Sequence, residues 1–316
     1  MILYNKGDKV ATREAYSKFL AEAGETRKDL IVMDADLSHS TKTISFADKY
    51  PERFVQSGIS EQDLMAEAAG IAASGHVVCA SSFAMFAVGR AYEVIRNSIG
   101  GTGLNVKVCA THAGITVGED GASHQTFEDI ALMREIPGMT VISPADAVST
   151  NKLLGQILEE KGPAYVRLGR AGVPVIYDND EDIKLGKAQV IRKGADISIF
   201  ATGIMLSSAL EAADALYAEG IEAEIIDIHT IKPLDADAVI KSASRTGRVV
   251  TAEEHSVIGG LGSAIAEALA KECPTRMAFV GQQDTFGESG KPDELRKKYG
   301  MTADDIISAA MKLCEA

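Results

Sequence analysis

Apolar residues along this chain fall into short, nearly unbroken runs separated by amphipathic stretches. Runs at residues 30–33, 77–80, 104–110, 140–143 and 164–168 read as buried strands. Between them, residues 61–73 put Leu64, Ala68 and Ile71 on one helical face. Residues 83–99 read as a second helix anchored by Phe86, Ala91, Val94 and Ile95. Residues 147–161 form a third, which Gly162-Pro163 ends. The rhythm breaks over residues 171–194, where Pro174, Asn179 and an acidic cluster at 178–182 suggest a linker crossing the surface. It then restarts, with strands expected at 197–201, 223–228, 248–251 and 277–280 and helices at 205–219, 263–271, 292–299 and 302–313. Near-continuous apolar strands alternating with helices imply parallel sheets covered on both faces. The expected class is α/β, with two parallel-sheet-based domains at residues 1–170 and 194–316 joined by a linker at 171–193.

The polar residues then single out one segment. Thr111-His112-Ala113-Gly114-Ile115 follows the strand at 104–110, and Val117-Gly118-Glu119-Asp120-Gly121-Ala122-Ser123-His124-Gln125 comes next. Imidazoles and carboxylates on a loop at a strand's end are what proton transfer and hydroxyl recognition require. Gly114, Gly118 and Gly121 let such a loop turn tightly and approach a ligand. The plainer alternative is a polar surface loop with two incidental histidines. In open α/β sheets ligands sit outside the carboxyl ends of the strands. Residues 36–40, 81–83, 112–124 and 167–170 all fall there, so separate strands point to one site in the first half.

Length and charge narrow the function classes. At 316 residues two domains are the natural expectation, and a 46% hydrophobic content is ample for two cores. Forty-five acidic against 32 basic residues give a net charge of −13, which argues against a nucleic-acid partner. An anionic small substrate stays possible, because a few local arginines outweigh a distant negative surface. The four cysteines lack any CxxC spacing, and Cys79 and Cys109 sit within strand-like runs as small core residues. A reducing, cytoplasmic setting fits. Met1-Ile2-Leu3-Tyr4-Asn5-Lys6 is not a signal-peptide pattern, and no apolar run approaches a membrane span.

Together these segments resemble the transketolase family of thiamine diphosphate enzymes. The likeness begins at Ala11-Thr12-Arg13 and passes through Asp36-Leu37-Ser38-His39-Ser40, Gly58-Ile59-Ser60-Glu61-Gln62 and Ser82-Phe83-Ala84-Met85-Phe86. It is strongest across residues 111–125 and continues at Gly169-Arg170-Ala171-Gly172-Val173-Pro174. The second half, with Ile228-His229-Thr230-Ile231-Lys232-Pro233 and Gly259-Gly260-Leu261-Gly262, is similar to the family's C-terminal domain. The resemblance implies that residues 1–170 are the thiamine diphosphate pyrimidine-binding domain. The Gly-Asp-Gly motif and downstream Asn that hold metal and diphosphate in full-length relatives are absent. The chain therefore resembles the C-terminal subunit of a split transketolase, and its natural-looking start at Met1 favours a separate subunit over a truncation. An N-terminal partner subunit would carry the diphosphate and most of the hold on Mg2+ or Ca2+; no metal ligand is expected here. Two copies of each subunit would form a heterotetramer.

The resemblance also implies roles. Glu61 would sit against N1′ of the cofactor's aminopyrimidine, its acidity weakened by an apolar pocket. Phe83 and Phe86 would wall that ring, and Asp36 would line the cofactor cleft. His124 and His112 would act on the substrate's hydroxyls and protons, Asp120 would accept from its C2 hydroxyl, and Arg13, Arg170 and Ser40 would grip a sugar phosphate tail. Gly89 stands where relatives often carry Tyr. Taken singly, Glu61 is equally an acid favoured at a helix start, the phenylalanines are core residues, and the arginines are surface ion pairs. Glu254-His255 ahead of the 259–262 glycines suggests an interface or packing role, with an anion site at the helix start as the lesser alternative.

The implied activity is transfer of a two-carbon ketol unit from a ketose phosphate, such as xylulose 5-phosphate, to an aldose phosphate. A 1-deoxyxylulose 5-phosphate synthase-like or 2-oxoacid dehydrogenase β-like enzyme shares this chemistry, and a non-catalytic scaffold subunit is the alternative from another class.

Overall fold

The computed structural model describes residues 2–315. In chain order the first eight strands are β1 (Lys9–Ala11), β2 (Leu30–Asp34), β3 (Phe54–Gln56), β4 (Val77–Phe83), β5 (Val106–Thr111), β6 (Thr140–Ile142), β7 (Ala164–Arg167) and β8 (Gly172–Pro174). The second half adds β9 (Gln189–Arg192), β10 (Ile197–Ala201), β11 (Ala223–Asp227), β12 (Thr230–Lys232), β13 (Arg248–Ser256) and β14 (Arg276–Gln282). The fold is α/β with two principal sheets. The first runs β12-β6-β7-β5-β4-β2-β3 and the second β14-β13-β10-β11-β9. Strands β2 to β7 pair in parallel, and every residue of β4 and β5 is buried, so helices cover both faces.

The structure adds pairings that the apolar pattern did not reveal. β12 comes from the second half yet pairs antiparallel with β6 of the first sheet, Thr230 opposite Ile142. β8 returns from the expected linker to pair antiparallel with β1, Lys9 opposite Pro174. β9, also inside that stretch, forms the antiparallel edge of the second sheet. Val173, Val175, Tyr177 and Ile183 of the same stretch are buried. One carboxylate organises this return. Asp146 caps the helix Ala147–Glu159 in a reciprocal capping box with Ser149, and its Oδ2 accepts from the backbone N–H groups of Ile176 (2.8 Å) and Tyr177 (3.0 Å). Both hydrophobic cores extend through the two halves: Leu20, Cys79 and Ile142 share one with Ile199 and Leu206, and Leu64, Val108 and Ile130 share the other with Phe200 and Leu261.

The expected helix at 83–99 differs most from its reading. β4 keeps Phe83 in the sheet, and two π-helical segments, Met85–Arg90 and Ile95–Gly100, flank the short helix Tyr92–Val94. Such wider turns are uncommon and often mark functional sites.

Candidate functional site

The segments after β1, β2, β4, β5 and β7 converge at the carboxyl edge of the first sheet. His112 follows β5 directly and has a left-handed φ of +58°, a conformation that costs a non-glycine residue energy. Three contacts hold it there. Its ring stacks on Phe83 with centroids 3.8 Å apart, Thr111 Oγ1 lies 2.8 Å from Nδ1, and Arg13 Nη1 lies 3.0 Å from Nε2. A guanidinium only donates, so Nε2 accepts and the ring proton sits on Nδ1, facing Thr111. Burial, reinforced by the positive charges of Arg13 and Arg170, pushes His112 down to about 3, so it is a neutral imidazole near pH 7.

Arg13 stands at the start of the helix Thr12–Thr26, and the same Nη1 donates to the Ser40 carbonyl at 2.8 Å. The loop carrying Ser40 is organised by Asp34, the last residue of β2. Its carboxylate is buried and accepts from Leu37 N–H (2.6 Å), Thr41 Oγ1 (2.6 Å) and Thr43 Oγ1 (2.9 Å). Burial outweighs these bonds and raises its pKa. Asp36 is exposed at a φ of +61°, its N–H bound to Gln56 Oε1. Arg170, after β7, donates to the Val117 carbonyl and, at 2.9 Å, to Glu119 Oε2. Burial, then the charge of Arg170, lowers the pKa of Arg13, which places the two guanidiniums in one field. Arg13 Nε is a buried donor with no hydrogen-bond partner among the described residues. Two cations and an unused donor make an environment for an anion.

Glu61 opens the helix Glu61–Ala73 and is 2% exposed. The pocket around it is less apolar than expected, because Arg90 Nη1 donates to Glu61 Oε2 at 2.8 Å. The Arg90 guanidinium also lies 5.2 Å from the Phe86 centroid. Phe86 stacks beside Phe83 at 6.1 Å and meets the edge of His124 at 5.2 Å. A continuous path of contacts therefore leads from Glu61 through Arg90 and Phe86 to His124, and through Phe83 to His112, Arg13 and Ser40. Asp120 is exposed at the end of the 3-10 turn Ile115–Asp120, outside this path. A buried carboxyl that Arg90 links to Phe86, with Phe83 stacked beside it, suits a flat heterocycle with a protonatable nitrogen. Among the described residues no group of three His, Cys, Asp or Glu side chains could hold a metal ion.

Sequence reasoning passed over Arg90 and the role of Asp34. Arg90 carried a signal, since it stands four residues after Phe86, the spacing at which helical side chains meet. Asp34 sat in view at the end of an apolar run, where only burial reveals its role. Arg167, the other arginine of its segment, turns away. It is buried against Asp129 (Nε to Oδ2, 2.7 Å), which also accepts from Tyr165 OH at 2.6 Å. Despite burial, Arg167 and His255 hold Asp129 below the usual carboxylate range.

The anion site considered at the second half's glycine-rich helix start is overturned. The Glu253 carboxylate fills it, accepting from the N–H groups of Leu261 (2.7 Å) and Gly262 (2.8 Å) at the start of the helix Leu261–Glu272. The neighbouring residues take the expected interface role. His255 Nε2 accepts from Ala131 N–H at 3.3 Å, and Glu254 Oε1 accepts from Thr116 N–H at 2.7 Å.

Comparison with known proteins places the whole chain beside others. A family model described as transketolase, pyrimidine binding domain, matches residues 8–175, and one described as transketolase, C-terminal domain, matches residues 186–306. A Methanocaldococcus jannaschii protein, provisionally described as a transketolase C-terminal section, is 48% identical over 95% of this chain and 95% of its own. A 6-deoxy-6-sulfo-D-fructose transketolase subunit of Clostridium sp. is 42% identical over 96% of this chain and 94% of its own. A solved split-gene transketolase, an inactive β4 tetramer, superposes with a TM-score of 0.91 at 51% identity, covering 97% of this chain and 99% of that one.

Proposed function

The chain belongs to the transketolase family as a split-transketolase-like subunit, and we propose that it supplies the pyrimidine-binding and sugar-binding half of a two-polypeptide active site. The reaction is transfer of a two-carbon ketol unit from a ketose phosphate to an aldose phosphate, as in pentose phosphate metabolism. A second subunit holds the diphosphate and most of the coordination of Mg2+ or Ca2+, in a cytoplasmic heterotetramer. Among the described residues no helix is long and apolar enough to cross a membrane.

Bound thiamine diphosphate supplies the electron sink for breaking the carbon–carbon bond beside a ketose carbonyl. This chain's own groups do the rest. Glu61 holds a proton at the ring nitrogen of the aminopyrimidine, which requires Arg90, half exposed, to yield part of its hold on the carboxylate. Phe83 and Phe86 wall the ring, and Asp36 lines the cleft beside it. Stacking on such a ring adds about 1 kcal/mol beyond area burial. His124 moves protons near the reacting carbonyl. His112, kept neutral, and Asp120 bind hydroxyls, Asp120 from its exposed position at the end of the 3-10 turn. Arg13, Arg170 and Ser40 hold the anionic tail. The single observation that carries this reading is the unbroken contact path from Glu61 to the Arg13–His112 pair.

That a 51% identical chain forms an inactive tetramer of one subunit type supports the expectation that this chain alone does not turn over. The sulfosugar relative favours a second reading of the tail, in which the same arginines accept a sulfonate. The test is co-expression with the N-terminal subunit, then a donor–acceptor assay with xylulose 5-phosphate and, in parallel, a 6-sulfo ketose. Glu61→Ala should lower kcat by about 100-fold or more with the fold retained, as expected for loss of an acid–base group. Near-normal turnover by that variant would refute the assignment. No stabilisation by thiamine diphosphate in the presence of the partner would instead favour a scaffold.

A further inference from the structure

We propose that Glu254, on the second domain, is a positioning residue that sets the spacing of the sugar-binding groups on the loop at residues 112–120. The inference rests on the reading of that loop given above. Thr116 is the loop's midpoint, four residues after His112 and four before Asp120. Its N–H is the one that Glu254 Oε1 accepts, across 138 residues of sequence.

Few bonds hold the loop from within the first domain, among them Gly114 N–H to the Thr126 carbonyl and Arg170 to the Val117 carbonyl. The loop is a 3-10 turn interrupted at Gly118, where φ is +82° and ψ is −120°, and glycines with positive φ bound it at 114 and 121. Left alone, such a segment samples many conformations. Glu254, in contrast, projects from β13, an interior strand of the second sheet, paired on both sides. Arg167 braces it: Nη2 donates to the Glu254 carbonyl at 2.8 Å, Nη1 lies 3.9 Å from its carboxylate, and Asp129 fixes the guanidinium in turn. The loop backbone lies directly on the carboxyl group, since a Cβ added at Gly114 would overlap the side chain of Glu254. At the loop's far end, Gln125 Nε2 bridges the Ile115 carbonyl (3.3 Å) and the Glu288 carbonyl (3.0 Å), again on the second domain. The second domain thus acts as a mould for the loop, and Glu254 is its pin.

The experiment uses Glu254→Ala and Glu254→Gln, with Ser242→Ala as a control. Ser242 is buried in the second domain, bonded to Ser198 and far in sequence from the loop. Backbone hydrogen exchange is followed on the chain itself, and sugar KM, kcat and thiamine diphosphate affinity on the assembled complex. Exchange in residues 112–121 should quicken about tenfold or more in Glu254→Ala, with the helix Met205–Ala218 unchanged, as for a local opening. Sugar KM should rise about tenfold while cofactor affinity holds within about twofold, a loss of substrate binding alone. Glu254→Gln keeps an acceptor oxygen in place and should restore both readouts to within about threefold of the parent. Three results would overturn the proposal: unchanged loop exchange in Glu254→Ala, an equal KM rise in Ser242→Ala, or a Gln variant as impaired as the Ala variant. Should Glu254→Ala fail to fold, Glu254→Asp retracts the same carboxyl by one methylene and carries the same expected direction. If the unaltered complex transfers no ketol unit, the proposed function fails, while the exchange measurement still decides the role of Glu254.

Discussion

Arg13→Met isolates the charge that the proposed anion pocket depends on. The guanidinium makes two bonds within the protein, to the Ser40 carbonyl and His112 Nε2, and keeps a buried Nε–H without a partner among the described residues. Methionine keeps most of the stem and removes every donor. A hydrogen bond to a charged group is worth about 1.5–3 kcal/mol. With 1.4 kcal/mol to a factor of ten, losing one such bond to substrate lowers kcat/KM by about 10- to 100-fold. Arg13 is half-buried, so solvent screening favours the lower part of that range. The assay is initial-rate kinetics of the assembled complex with a phosphorylated ketose and with a neutral ketose lacking the anionic tail. The phosphorylated donor should lose the full factor and the neutral one less than about threefold. Equal losses for both would refute the reasoning and show that Arg13 acts through the loop instead. A second readout is His112 itself. With a neighbouring positive charge gone, its pKa should rise from about 3 yet stay below that of an exposed histidine, because burial, the largest cause, remains. An imidazole titration that does not move would remove the electrostatic link between the two residues.

Two further predictions follow from burial and backbone geometry. Gly114 has φ +80° and ψ −166°, a region that side-chain-bearing residues avoid, and Glu254 fills the space a Cβ needs. Gly114→Ala should cost about 1–3 kcal/mol of stability in urea unfolding and reproduce the raised sugar KM expected of Glu254→Ala; parent-like values for both would contradict the loop geometry. Asp227 is fully buried beside the Tyr177 hydroxyl (2.7 Å), and burial raises it to about 8. Its unfolded carboxyl ionises near pH 3.9. Between those values the folded state keeps a proton that the unfolded state has lost, so its contribution to stability falls as pH rises, by at most about 1.4 kcal/mol per unit, and levels off above the folded value. Asp227→Asn removes that slope, so the Tm of the variant relative to the parent should climb from pH 5 to pH 8. A constant difference across that range would show that Asp227 does not titrate there.

The sequence by itself determined most strands of the two principal sheets and placed the two-histidine loop at the end of one of them, while β1, β3, β8, β9 and β12 escaped it. Runs such as Leu30–Asp34 and Val106–Thr111 are apolar because both faces of a parallel strand are buried, and that constraint is written residue by residue. His112 and Ser40 were legible because they follow such runs, whereas Arg13 and Glu61 follow short strands that the pattern does not show and were reached only through the resemblance to the family. Periodicity, however, states which face a residue buries and not what it meets there. The sheet's edge strand β12, the pairing of β8 with β1, the Arg90–Glu61 bond and the tautomer of His112 all depend on partners set by the three-dimensional path of the backbone. Thr116 and Glu254 are 138 residues apart, and although Glu254 stood out beside its glycine-rich loop, nothing in either segment pairs it with Thr116. Only the packing of one domain on the other gave a backbone N–H and a buried carboxylate the 2.7 Å separation that a hydrogen bond needs, because such bonds are satisfied in space and leave no trace in local pattern.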